Sequence, residues 1–128
     1  MKQLIRVEHP LYCVGFFRHI DENGIAVIRQ HSKFKEIDKR HSNPNRFPAY
    51  YNDEDLMNQV LVVEGDKYQI GQYFFAFESL DRLEEGLTRE ELKECITLGF
   101  RVYSIEVSQY LSSEYQAIFK IEHILNKL

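Results

Sequence analysis

The sequence predicts an α+β fold: a small mixed or antiparallel sheet with helices packed on it, and a long irregular loop at about 38–53. Three observations predict it. Residues 3–9 alternate in the manner of a strand, and 69–77 carry apolar side chains on both faces of a second one. Thr88 and Glu91 stand at capping-box spacing ahead of a helical apolar stripe. In the stretch before the second strand, Pro44 and Pro48 force extended backbone on the residues preceding them, while Ser42, Asn43 and Asn45 favour side-chain to backbone hydrogen bonds over a helix.

In chain order, the strand at 3–9 puts Leu4, Arg6 and Glu8 on one face and Ile5, Val7 and His9 on the other, which reads Arg6 and Glu8 as the polar side of a half-buried strand. Pro10 ends it, because proline has no amide to give a ladder. The apolar run at 11–17 is too short for its period to decide between helix and strand. Glu22, Asn23 and Gly24 mark a turn, and apolar residues at 25, 27, 28, 34 and 37 predict a helix over 25–37. The loop at 38–53 follows; structureless connections beyond ~12–15 residues are often functional. The strand at 69–77 is expected to be central. Ser79 caps a short helix over 80–87, and Thr88 opens another with the stripe Leu87, Leu92, Cys95, Ile96 and Leu98, stopped by a left-handed Gly99. A strand at 100–107, a turn at 110–113 and a strand at 114–121 complete the sheet, the last two pairing antiparallel, and the tail from 121 is expected to be a short helix.

Length and composition bound the class. A chain of 128 residues is one domain, 1–128, long enough to bury a core without metal or disulfide. Nine Phe and eight Tyr against six Gly and three Pro exclude a disordered chain. Charges at Lys2, Arg6 and Glu8 leave no signal-peptide core at the start, and no apolar run approaches the ~18 residues of a membrane helix, so a cytoplasmic location is expected. Cys13 and Cys95 are then two reduced, buried thiols.

The charge distribution is uneven. From Arg29 to Arg46 six cations, Arg29, Lys33, Lys35, Lys39, Arg40 and Arg46, face two anions, Glu36 and Asp38; this +4 segment leaves −8 elsewhere in a chain of net charge −4. With His31, His41 and the aromatics Phe47, Tyr50 and Tyr51 beside it, the segment is a candidate binding site for a phosphate, a nucleotide or an acidic protein surface; its bland alternative is a solvated helix face. Duplex nucleic acid is not expected, because the acidic remainder lacks the broad positive field that drives such binding. The carboxylates from Glu78 to Glu94 read as helix-start and solvent-facing residues.

Known signatures are missing. There is no H-E-x-x-H, calcium loop, G-x-S-x-G elbow, Walker loop or G-x-G-x-x-G, so no metal and no catalytic residue is expected from motifs. One polar constellation remains: Arg6 and Glu8 on the first strand, Ser79 after a central strand, and Glu114 and Gln116 at the start of a late one.

Two segments carry resemblances. The opening R-V-E-H-P at 6–10 with G-F-F at 15–17, and the pattern from 73 to 119 of an aromatic strand, S-L-x-x-L, an acidic helix, L-G-F, a strand ending in E-V and a Q-x-x-F, resemble small proteins of uncertain function encoded by bacteriophages and prophages. About half the chain is covered, and Gly86-Leu87 stands where those proteins carry an aromatic pair. A second resemblance is to the ADP-ribosyltransferase fold, which implies Arg6, Ser79 and Glu114 as the residues holding NAD. Gln116 there occupies the place of a catalytic Glu, and an amide cannot supply the negative charge an oxocarbenium-like transition state needs.

The leading reading is a non-catalytic binding protein from a mobile element, acting as an inhibitor of a host or defence protein or on a small anionic nucleotide ligand. It uses Lys33, Lys35, Lys39, Arg40, His41, Arg46, Phe47, Tyr50 and Tyr51, with no cofactor. The alternatives are an ADP-ribosyltransferase-like enzyme or pseudo-enzyme binding NAD through Arg6, Ser79 and Glu114, and sequence-tolerant single-stranded nucleic-acid binding through Tyr50, Tyr51 and the basic segment. No membrane is expected as a partner.

Overall fold

The computed structural model describes residues 2–8, 19–20, 26–27 and 53–127. The 11–17 run, the Glu22–Gly24 turn, the loop over 38–52, Cys13 and the basic segment with Phe47, Tyr50 and Tyr51 lie outside the described residues. The α+β class holds, and every strand pairing among the described residues is antiparallel.

β1 (Lys2–Glu8) forms where the alternation predicts it. β2 (His19–Ile20) and β3 (Ala26–Val27) pair with each other, so the expected helix over 25–37 is corrected at its start, and its remainder lies outside the described residues. Residues 54–68 carry no element in the sequence reading, yet α1 (Glu54–Glu64) occupies most of them. Its start is fixed by Asp53, whose carboxylate accepts from the Leu56 amide, and its end by Gly65 in the left-handed region (φ 79°), whose amide donates to the Leu61 carbonyl. The expected strand 69–77 is shorter than predicted. A 3-10 turn takes Lys67–Gln72, leaving β4 as Phe74–Ala76, because Asp66 accepts from the Tyr68 amide and commits the chain to a turn before the aromatic run.

α2 (Leu80–Gly86) and α3 (Arg89–Thr97) follow the capping prediction. The Ser79 hydroxyl accepts from the Arg82 amide, and the Thr88–Glu91 box is complete in both directions. Gly99 adopts the left-handed stop at φ 99°. Within the expected stripe Leu87 and Cys95 are buried and Leu92 and Leu98 partly so, but Ile96 faces solvent. β5 (Arg101–Val107), β6 (Leu111–Ser112) and β7 (Ala117–Phe119) come next, then a 3-10 turn at Ile121–His123 and β8 (Ile124–Lys127). Three expectations are corrected here: 110–113 contributes a strand, β7 does not pair with β5, and the tail ends in a strand.

The orders are β1-β5-β8 and β4-β7-β6, and a bridge between Ile5 and Phe77, with amide to carbonyl bonds of 2.7 and 2.8 Å, joins the two sheets through β1 and β4. In its own sheet β4 is an edge strand, so the central placement expected for the 69–77 strand is met only through that bridge to β1. Side-chain alternation then sorts the interior into two cores. Val7, Phe75, Phe77 and Ile118 pack with Leu56 and Val60 of α1, Leu83, Leu87, Cys95 and Phe100. Leu4, Phe74, Ala76, Ile105, Val107, Ala117 and Phe119 form the other, with Ile20. Truncating a fully buried ring such as Phe77 or Phe119 to alanine costs ~3–5 kcal/mol by the usual cavity cost.

Candidate functional site

The face of β1 that the sequence assigns to solvent is the opposite: Leu4, Arg6 and Glu8 are all buried, Glu8 completely. Arg6 stands across the ladder from Tyr103 of β5, on the face of the second core. Its Nε donates to Glu8 Oε1 at 2.6 Å and its Nη1 to the Phe75 carbonyl. The guanidinium lies 5.6–5.9 Å from the ring centres of Phe74, Phe75 and Phe119, within cation–π range. The i, i+2 spacing on a strand is what lets the two charges meet on one face.

Glu8 is also held from the far end of the chain. Lys127 of β8 donates its ammonium to Glu8 Oε2 at 2.7 Å and to the Ile20 carbonyl, and sits 4.7 Å from the centre of the Tyr103 ring. The pairing Ile105↔Lys127 places that side chain on the same face as Arg6. A buried carboxylate thus has a cation on each oxygen, an arrangement that neutralises charge taken out of water.

Two other polar clusters are built by packing. Lys120 meets Glu64 at the end of α1 at 2.5 Å, and the Tyr73 hydroxyl donates to the same carboxylate at 2.9 Å. The Lys120 ammonium and then the Tyr73 phenol hold the Glu64 carboxyl below its ordinary range, while burial and then Glu64 push the Tyr73 phenol up to about 12. Asp53, buried at the start of α1, accepts from Ser113 Oγ at 2.6 Å and from the Gln116 amide nitrogen at 3.3 Å, besides capping its helix. These contacts tie α1 to the β6–β7 turn.

The three residues of the ADP-ribosyltransferase likeness occupy different settings. Arg6 is committed to the interior pair; Ser79 caps α2; Glu114 is exposed, and its carboxylate raises the Tyr115 phenol through a side-chain hydrogen bond. Gln116 is a buried partner of Asp53. The residues of the basic site, Lys33, Lys35, Lys39, Arg40, His41, Arg46, Phe47, Tyr50 and Tyr51, lie outside the described residues. Among the described residues no three His, Cys, Asp or Glu side chains are grouped to hold a metal ion, and no helix is long and apolar enough to cross a membrane.

Sequence reasoning missed Lys127, Tyr103 and Asp53. Asp53 had a signal, since Asp followed by two acids and an apolar run is a helix start; Lys127 had none, because 119 positions separate it from Glu8. It also missed the apolar end of α1, where Leu61, Val62 and Val63 are exposed.

Residues 1–126 match the family model described as Bacteriophage T4 Y00F protein. The chain belongs to this family. The match spans the β1 strand and its R-V-E-H-P, the whole 73–119 pattern and nearly all of β8, and so bears out the resemblance to small phage-encoded proteins; it lends nothing to the ADP-ribosyltransferase likeness. No curated protein and no solved structure matches the chain. The family match shows a phage-encoded protein and assigns it no activity.

Proposed function

We propose that this Y00F-family chain is a non-catalytic binding protein with which a phage occupies a protein of its bacterial host, a defence component included, in the host cytoplasm. One observation carries the reading. Leu61, Val62 and Val63 at the end of α1 are 46, 84 and 61% exposed, and Tyr68 on the following 3-10 turn is 75% exposed. Three successive exposed apolar side chains fan around the last turn of α1 and offer that helix end to a partner, and an exposed Tyr on the turn that follows is a typical anchor. The partner is a protein with an apolar groove able to receive a projecting helix end. In support, Arg6 and Lys127 bond to Glu8 and Lys120 bonds to Glu64, which suits holding a fold together better than moving a proton.

In this reading the basic segment from Arg29 to Arg46, with Phe47, Tyr50 and Tyr51, is a second contact for an acidic surface or a small anionic nucleotide ligand. The test compares the full-length chain with Val62→Asp/Val63→Asp and with Lys39→Glu/Arg40→Glu as baits for host proteins. The expected result is one protein retained stoichiometrically by the parent chain and lost by the α1 variant, with both variants melting as the parent does. Equal retention by the parent and the α1 variant overturns the α1 surface; equal retention by the Lys39/Arg40 variant removes the basic segment.

A further inference from the structure

α1 carries two kinds of side chain on its outer face. The helical repeat sets Leu61 seven positions after Glu54 and Val62 seven after Asp55, so each of these exposed apolar residues shares a stripe with an exposed carboxylate roughly 10 Å nearer the helix start. Asn58 is exposed between them. From Asp53 to Gln72 five acids, Asp53, Glu54, Asp55, Glu64 and Asp66, stand against one cation, Lys67.

Packing brings a third exposed carboxylate to the start of α1. The Ser113 hydroxyl donates to Asp53 at 2.6 Å, and Glu114, the next residue, is exposed. Gln59 ties the same turn to the helix through the Ser112 carbonyl at 2.7 Å. Asp55 accepts from the Gln59 amide and Glu114 bonds to the Tyr115 phenol, both neutral groups, and among the described residues no cation pairs with Glu54, Asp55 or Glu114. α2 differs, because Arg82 bonds to Glu85 and Arg89 lies 3.9 Å from Glu84. At the apolar end of α1, Glu64 is paired with Lys120. Acids in a first turn favour the helix whatever binds it, but that reason does not reach Glu114, which lies on the β6–β7 turn.

We propose, resting on the α1 reading above, that the occupant of this helix end is a cationic surface of the host protein. An apolar pocket takes Leu61 and Val62, and arginine or lysine side chains roughly 10 Å away, the rise of seven helical residues, face Glu54, Asp55 and Glu114. An apolar centre with a charged rim is the usual order of an interface. The rim speeds encounter with a basic surface and turns away acidic competitors, while the pocket holds the complex once formed.

Host proteins split on a cation exchanger at neutral pH into bound and unbound fractions are the probe, and the full-length chain is the bait. The parent is expected to retain one protein from the bound fraction and none from the unbound one. With that protein purified, Glu54→Gln/Asp55→Asn is expected to weaken binding at least about tenfold and Glu114→Gln by a smaller factor, and added salt to narrow both gaps. These changes keep side-chain shape, and an amide at 55 still accepts from Gln59. A partner from the unbound fraction, or equal affinity for the parent and Glu54→Gln/Asp55→Asn, overturns the charge assignment; the α1 surface survives it if Val62→Asp/Val63→Asp loses that partner. Equal retention by Val62→Asp/Val63→Asp, or no retention by the parent, overturns both. If Glu54→Gln/Asp55→Asn melts below the parent, Glu114→Gln decides by the same comparison, since it leaves the helix untouched.

Discussion

Two carboxylate–cation pairs of nearly equal length stand in contrasting surroundings. Arg6 and Glu8 are 2.6 Å apart with side chains 1% and 0% exposed; Lys120 and Glu64 are 2.5 Å apart with 22% and 21% exposed. At equal distance the attraction is stronger in the low-dielectric interior, and so is the cost of the hydration each charge gave up there. The interior pair has lost its water and depends on its partners and on the Phe74, Phe75 and Phe119 rings. The outer pair keeps part of its hydration, and salt screens it. The same chemistry is thus an obligation in one place and a modest convenience in the other.

The largest expected effect comes from breaking the interior pair on one side. Arg6→Met removes the cation bonded to Oε1 of the buried Glu8 and should cost roughly 3–5 kcal/mol, read as a fall in the urea midpoint. Adding Glu8→Gln to it should recover part of that loss; a double variant as unstable as the sum of the single changes would show that the two side chains are not coupled. Asp53→Ala comes next, at about 2 kcal/mol, because it removes a helix cap together with the bonds that Ser113 and Gln116 donate to it. Such a loss should be insensitive to salt, since among the described residues no cation pairs with Asp53.

Lys120→Met should shift the midpoint least of these substitutions, and by less still in high salt; a loss as large as that of Arg6→Met would erase the contrast. The pH dependence sharpens it further. Tyr73 has its phenol pushed up to about 12 by burial first and Glu64 second, so its folded form holds the proton more tightly than its unfolded form. That contribution is complete below about pH 10 and is lost as pH rises through about 12. Glu64, held down by Lys120 and then Tyr73, contributes above the ordinary carboxylate range, and its share is lost as pH falls through its lowered value. Phenol absorbance followed during alkaline titration, together with midpoints across pH, checks both, and Glu64→Gln should bring the Tyr73 transition down.

Local rules were legible where local groups decide. Ser79 and Thr88 cap helices because the bonds they make reach only three residues, and Gly99 stops one because only its own backbone is at stake. The 69–77 strand failed at its first half because Asp66 captured the following turn, a short-range competition that alternation alone does not weigh. The alternation of β1 was right in period and wrong in leaving one face to water, because one core covers Val7 and Ile5 and the other covers the face of Leu4 and Arg6; a period says that two faces differ without saying what covers each. Of the candidate site, Arg6 and Glu8 were visible as a pair, while Lys127 and Tyr103 were not.

By itself the sequence determined the α+β class, the first strand, the two capped helices and, through its motifs, the phage family, because each of these rests on residues near one another in the chain. Only the tertiary structure decided that Arg6 and Glu8 lie inside, that the tail is a strand carrying Lys127 to Glu8, and that β7 pairs with β4 in place of β5. The reason is physical: the stability of a buried charge depends on which groups surround it, and here those groups arrive from segments more than a hundred residues apart.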